Sequence, residues 1–109
     1  MPILIVDIDE TLIYYNESAE EILGQHFDET GEMPVEQWTG MFAVADEARR
    51  TIAPENRPLM LALADRKPNS RTLWMRCGNR EWRHVNITAL PLLGVGGQFL
   101  GALMIFWEI

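Results

Sequence analysis

Phe99-Leu100-Gly101-Ala102-Leu103-Met104-Ile105-Phe106-Trp107-Glu108-Ile109 is almost continuously apolar, and its reading decides the fold. An antiparallel strand with one wet face alternates apolar and polar residues. This stretch does not. As a strand it places Phe99, Leu103, Ile105 and Trp107 on one face and Leu100, Ala102, Met104 and Phe106 on the other. Both faces therefore need cover, and the few short helices legible elsewhere in the chain can cover only one. The second face predicts either a flanking helix or a second copy of the chain. With Ile3 and Ile5 from the first strand, the residues Phe99, Leu103, Ile105 and Trp107 form the expected pairing face. Burial at roughly 25 cal/mol per Å² favours such pairing before the entropic cost of joining two chains.

Upstream, Gly94-Val95-Gly96-Gly97 marks a turn. Before it, Glu81 to Leu92 alternates, with Arg83, Val85, Ile87 and Ala89 opposite Trp82, His84, Asn86 and Thr88. Gly78-Asn79 is a further turn, and Thr72 to Cys77 sets Leu73, Met75 and Cys77 against Thr72, Trp74 and Arg76. Helical signals come earlier. Pro58 starts a helix reaching about Asp65, stopped by Arg66-Lys67-Pro68-Asn69-Ser70, and Pro34 starts another through Phe42. Between them, Ala43 to Asn56 shows no clear pattern beyond one helical turn at Ala45 to Arg50, and Gln25 to Met33 is a polar loop. Asn16 stands as the N-cap of a helix from Glu17 to Leu23, with Gly24 at the left-handed position beyond it. Ile3 to Val6 and Thr11 to Tyr15 form a hairpin, because the carboxylates of Asp7-Ile8-Asp9-Glu10 suit a tight turn.

The 109 residues fit one compact domain, 1–109. Hydrophobic residues at 48% and charged residues at 23% describe a globular chain rather than a disordered one. A formal charge of −7 repels a phosphate backbone, which argues against nucleic acid as a partner. The single cysteine, Cys77, leaves no internal disulfide and no multi-cysteine metal site. No apolar run approaches the roughly 20 residues that span a bilayer. With no basic leader before Ile3, the expected location is the cytoplasm, away from membranes.

Two strands, several short helices and three strands, in that order, resemble the PAS domain over nearly the whole chain. Asn16-Glu17-Ser18-Ala19-Glu20-Glu21-Ile22-Leu23-Gly24 is similar to that family's N-x-x-A-x-x-x-x-G helix. Glu81-Trp82-Arg83 through Leu90-Pro91-Leu92, the glycine-rich turn and Phe99-Leu100-Gly101-Ala102 are similar to its closing hairpin. The resemblance implies an α+β fold: a five-stranded antiparallel sheet, helices over one face and a central pocket. It also implies a non-catalytic role in signal reception or dimer assembly beside an output domain. Trp38, Met41, Phe42, Leu59, Leu63, Met75 and Met104 are the pocket residues expected to meet a small ligand, although core packing alone accounts for each of them. A ligand-free assembly scaffold is the corresponding alternative.

A competing motif lies at the start. Ile3-Leu4-Ile5-Val6-Asp7-Ile8-Asp9-Glu10-Thr11-Leu12 resembles the first motif of haloacid dehalogenase-type phosphatases. That resemblance implies Asp7 as nucleophile and Asp9 as acid/base beside Mg²⁺. Such an enzyme also needs a later lysine, a later acidic pair and crossover helices for a parallel sheet. Lys67 is the sole lysine, and after it come only Glu81 and Glu108 as acids. Turn-forming aspartates are the better reading.

The cofactor signatures of PAS domains are not found here. No histidine lies on Pro58 to Asp65, where a haem ligand is expected, and Cys77 is not within the Asn-Cys-Arg-Phe run of flavin photosensors. The cofactor is left unknown. His26 in a polar loop and His84 on an outward strand position read as surface or structural residues. Arg71, Arg76, Arg80 and Arg83 read as solvated strand faces, with Arg76 and Arg83 a possible grip for a small carboxylate.

Overall fold

The computed structural model describes all residues, 1–109. Strands β1 (Ile3–Asp7) and β2 (Leu12–Tyr15) come first, followed by helices α1 (Glu17–Leu23), α2 (Phe27–Thr30) and α3 (Val35–Met41). Strand β3 (Phe42–Ala45), a 3₁₀ turn (Pro54–Asn56) and helix α4 (Pro58–Asp65) lead into β4 (Asn69–Cys77), β5 (Arg83–Leu93) and β6 (Phe99–Glu108).

The strands make one six-stranded sheet in the order β2-β1-β6-β5-β4-β3. All its pairings are antiparallel. That removes the phosphatase reading, because its strand Ile3–Asp7 would have to sit in a parallel sheet.

Alternation along the strands separates the two faces. Leu4, Val6, Leu73, Met75, Val85, Ile87, Ala102, Met104 and Phe106 are buried on the inner face. Helix α4 packs there with Leu59, Met60, Ala62 and Leu63. Asn16 caps α1 by accepting from the Ala19 amide at 3.1 Å, and Gly24 ends it at φ 77° in the left-handed conformation. Both ends of this helix match the sequence expectation.

The sheet has six strands where the resemblance implies five. The addition is β3, an edge strand paired from Phe42↔Cys77 to Ala45↔Trp74. Four residues, two of them alanines, carry too little β-propensity to announce a strand. The stretch is extended because Phe42 leaves α3 at φ −114° and Val44 drops into the core beside it. The helical turn expected at Ala45 to Arg50 is instead a loop built on Asp46, whose Oδ1 accepts from the Ala48 and Arg50 amides at 2.9 Å each. The expected loop at Gln25 to Met33 contains α2, where Phe27 packs edge-on against Tyr14 and Tyr15 at centroid distances of 5.6 and 5.2 Å.

Phe99 also differs from expectation. The β5–β6 register slips between Leu92 and Leu93, pairing Leu92 with Gly101 and Leu93 with Phe99. The unpaired Leu100 is a β-bulge that reverses the alternation. Phe99 therefore turns inward and packs against the core, whereas Leu100 is exposed. Gly101, at φ 146°, lies against β1 so closely that a Cβ there would stand 2.0 Å from the Val6 carbonyl oxygen. Only glycine fits this crossing.

Candidate functional site

Between α4 and the inner sheet face lies a small apolar cavity. Leu4, Met75, Ile87 and Met104 come from the sheet, Trp38, Phe42 and Val44 from the α3–β3 segment, and Pro58 and Leu59 from the start of α4; Arg57 completes it. Its volume is about 30 Å³. A single water needs about 10–15 Å³ on this measure, so the space suits a few heavy atoms and is far below the ~300 Å³ of an ordinary cofactor pocket. Trp38 is held in place by donating from Nε1 to the Glu10 carbonyl oxygen at 2.8 Å.

Of the pocket residues expected from sequence, Trp38, Phe42, Leu59, Met75 and Met104 converge here. Met41 and Leu63 do not. Met41 borders a separate depression with Leu23, Cys77 and Arg80. Leu63 faces an open groove with Ile8, Met60, Arg66 and Phe99. The cause is axial: Met41 follows Trp38 by three residues and Leu63 follows Leu59 by four, so each shares its helix face but lies about one turn, ~5 Å, farther along the axis, beyond so small a cavity.

Sequence reasoning missed Arg57. It immediately precedes Pro58, and an arginine before a helix reads as surface. Instead its Nη1 donates to the Thr39 carbonyl and its Nη2 to the Phe42 carbonyl, each at 3.2 Å. Its Nε is buried without a partner. No carboxylate forms an ion pair with it. Burial lowers the guanidinium pKa from its ordinary value, and the field of Glu55 offsets part of that effect. The missed signal was local: the Asn56-Arg57-Pro58 run places a long cation where the chain enters the helix against the core.

The other chemically suggestive residues have structural partners. Asp7 Oδ1 accepts from the Asp9 amide at 2.9 Å and the Thr11 amide at 3.0 Å, closing the hairpin turn. His26 bonds Glu20 at 3.3 Å, and His84 bonds Glu47 at 2.6 Å while stacking on Trp74 at 4.4 Å. Cys77 is buried, which raises its thiol pKa, and its Sγ points to the Leu23 carbonyl at 3.8 Å. Arg83 pairs with Glu108. Because Arg83 lies opposite Met75 in the register, Arg76 projects from the other side of the sheet. The two arginines cannot grip one carboxylate.

The outer face divides lengthwise. On β5 and β4 it is polar, with Ser70 bonded to Thr88 and Asn86 bonded to Thr72, each at 3.2 Å. On β1 and β6 it is apolar. Ile3 lies beside Ile105 and Ile5 beside Leu103, with Trp107 farther along the same face and 44% exposed.

An antiparallel sheet with helices on one face, over a small apolar cavity, defines an α+β domain of PAS-like architecture. The PAS fold family model matches residues 1–109, and the chain belongs to that family. It is similar to the PAS domain of a protein from Colwellia psychrerythraea at 17% identity and a TM-score of 0.65, covering 99% of this chain and 85% of that one. It is also similar to the PAS domain of BvgS from Bordetella pertussis at 17% identity and a TM-score of 0.58, covering 99% of this chain and 73% of that one. No curated protein matches the sequence. PAS domains are sensory signalling modules. No helix here is long and apolar enough to cross a membrane.

Proposed function

We propose that residues 1–109 act as one non-catalytic, cytoplasmic PAS module that pairs with a second copy and relays a cavity-borne signal to an output domain. The carrying observation is the apolar half of the outer face, with Ile3, Ile5, Leu103, Ile105 and Trp107 side by side and uncovered by any helix. Those five residues carry no charge, and the nearest ionic pair at that end, Arg83 with Glu108, is internally neutralised. A neutral stripe favours a like partner, since a two-fold axis sets each charge near its own copy. The lone free thiol of Cys77 fits a reducing compartment. A signal would act by biasing two packings of the paired sheets.

Sedimentation equilibrium tests the pairing. The chain should sediment as a dimer and the Ile105→Arg variant as a monomer with an unchanged far-ultraviolet spectrum. A wild-type chain that stays monomeric at about millimolar concentration, where even weak association is visible, rejects it. The small cavity volume also supports a second reading, an assembly scaffold that binds nothing small. Native mass spectrometry distinguishes the two by whether purified protein retains added mass.

A further inference from the structure

Three departures from local preference meet at one groove. Glu10 closes the β1–β2 turn at φ 67° and Arg66 ends α4 at φ 56°, both in the left-handed region that glycine or asparagine ordinarily fills. The bulge at Leu100 turns Phe99 inward. Strained backbone and bulges gather where a side chain has to be aimed at something. Here all three residues border the same opening, together with Ile8, Met60 and Leu63. It is the roomiest depression on the chain, about 410 Å³, within the ~300–1,000 Å³ range of small-ligand sites.

The wall is divided by chemistry. Ile8, Met60, Leu63 and Phe99 offer apolar contact, and Glu10 and Arg66 supply one charge of each sign. The Arg66 guanidinium stacks on the Phe99 ring at 4.5 Å, which engages its face and leaves its N–H edges available. Neither charge has an ionic partner in the fold, and the two do not pair with each other. An anion would meet Arg66 but be opposed by Glu10. An amine would meet Glu10 but be opposed by Arg66. An uncharged apolar molecule would strip water from both charges and return nothing. A molecule with an ammonium and a carboxylate at one end and an apolar group at the other answers every part of the wall.

We propose that this groove, between the β1–β2 turn and the end of α4, binds a free apolar α-amino acid, its ammonium at Glu10, its carboxylate at Arg66 and its side chain against Leu63 and Phe99. Binding there requires neither pairing nor an occupied cavity. The groove is nevertheless connected to the cavity. The Glu10 carbonyl accepts from Trp38 Nε1 at 2.8 Å, and the Trp38 ring lines the cavity, so fixing Glu10 bears on a side chain of the inner core.

The experiment is a titration of the ¹⁵N-labelled chain with L-leucine, leucinamide, N-acetylleucine and glycine at matched ionic strength and about pH 6.5, where α-amino groups are protonated. Leucinamide keeps the ammonium alone, N-acetylleucine the carboxylate alone, and glycine both charges without the side chain. Leucine should shift the Ile8, Glu10, Leu63 and Phe99 amides saturably, with Kd on the order of millimolar, as expected of so small a ligand in an open site. Each of the other three should bind roughly tenfold or more weakly, the worth of one charge-assisted hydrogen bond or one buried aliphatic side chain. Glu10→Gln should abolish the preference for leucine over N-acetylleucine, and Arg66→Gln the preference for leucine over leucinamide. Leucinamide, N-acetylleucine or glycine binding as tightly as leucine overturns the proposal. So does the absence of a saturable shift at these amides. The comparison of the four compounds uses the unaltered chain, so it stands even if a variant fails to fold. Sedimentation of the same samples separates a failure of this site from a failure of pairing.

Discussion

A single asparagine fastens the first helix to the sheet. Asn16 Oδ1 accepts from the Ala19 amide at 3.1 Å and from the Ile3 amide at 3.0 Å, while Nδ2 donates to the Met1 carbonyl at 2.8 Å. Loss of a capping side chain costs about 1 kcal/mol, up to 2 in rigid contexts. With the strand tether added, Asn16→Ala should fall at the upper end, read as a lowered urea midpoint with unchanged slope. Gly101→Ala should be harsher. Its Cβ would press on the β1 backbone at a φ that alanine rarely adopts, so a loss above ~3 kcal/mol, or insoluble protein, is the expected outcome. Glu20 and His26 link α1 to α2. The Phe27 amide, donating to Glu20 at 2.6 Å, and then His26 lower the Glu20 pKa; the bond to Glu20 in turn raises that of His26. The Glu20 contribution is present above the ordinary carboxylate range and fades as pH falls through its lowered value. The His26 contribution is full below about pH 6.5 and fades as pH rises through its raised value. The link is therefore strongest in mild acid between these limits. In Glu20→Gln, the His26 midpoint followed by proton NMR should fall back toward its ordinary value; a midpoint that does not move removes Glu20 as the cause.

Among the elements, the sheet order determines which backbone is best protected. β5 and β6 are flanked by strands on both sides, whereas β2 and β3 are the edges. Amide exchange should be slowest at the centre of β6, around Leu103 to Phe106, and fastest in β2 and β3, since edge strands open without unfolding the core. Uniform protection across all the strands would contradict that ordering. β3 is short, and its outer side is partly met by the Ala45↔Thr51 bridge. This limits the pairing an exposed edge invites. Helix α4 couples the elements. It covers the inner face of the sheet, and Arg57 at its start bonds back to α3 and β3. Changes in the cavity thus have a route to an edge strand.

At the scale of the molecule, one sheet presents two contrasting faces. The inner face is closed by helices around a cavity, and the outer face is half polar and half apolar. Placing a sensor and a pairing surface on opposite sides of the same strands lets one strand belong to both. On β6, Met104 lines the cavity while Leu103 and Ile105 look outward. Introducing charge at Ile105 should therefore disrupt association while the indole N–H signal of Trp38, beside the cavity, keeps its position. Sedimentation and a ¹⁵N spectrum of the Ile105 variant check this independence.

The antiparallel β-strand succession, the capped α1, the helix Pro58–Asp65 and the apolar final strand were legible in the chain because each depends on local periodicity and end signals. So was most of the cavity lining, since residues that pack a small core also surround any space left in it. Three features awaited the folded chain. β3 forms because β4 offers it an open edge, the inward turn of Phe99 follows from a bulge of one residue, and the half-buried seat of Arg57 depends on where α3 passes relative to α4. Local patterns record what each segment prefers alone. Pairing register, bulges and the seat of a half-buried charge depend on contacts between segments far apart in sequence, which only the tertiary structure brings together.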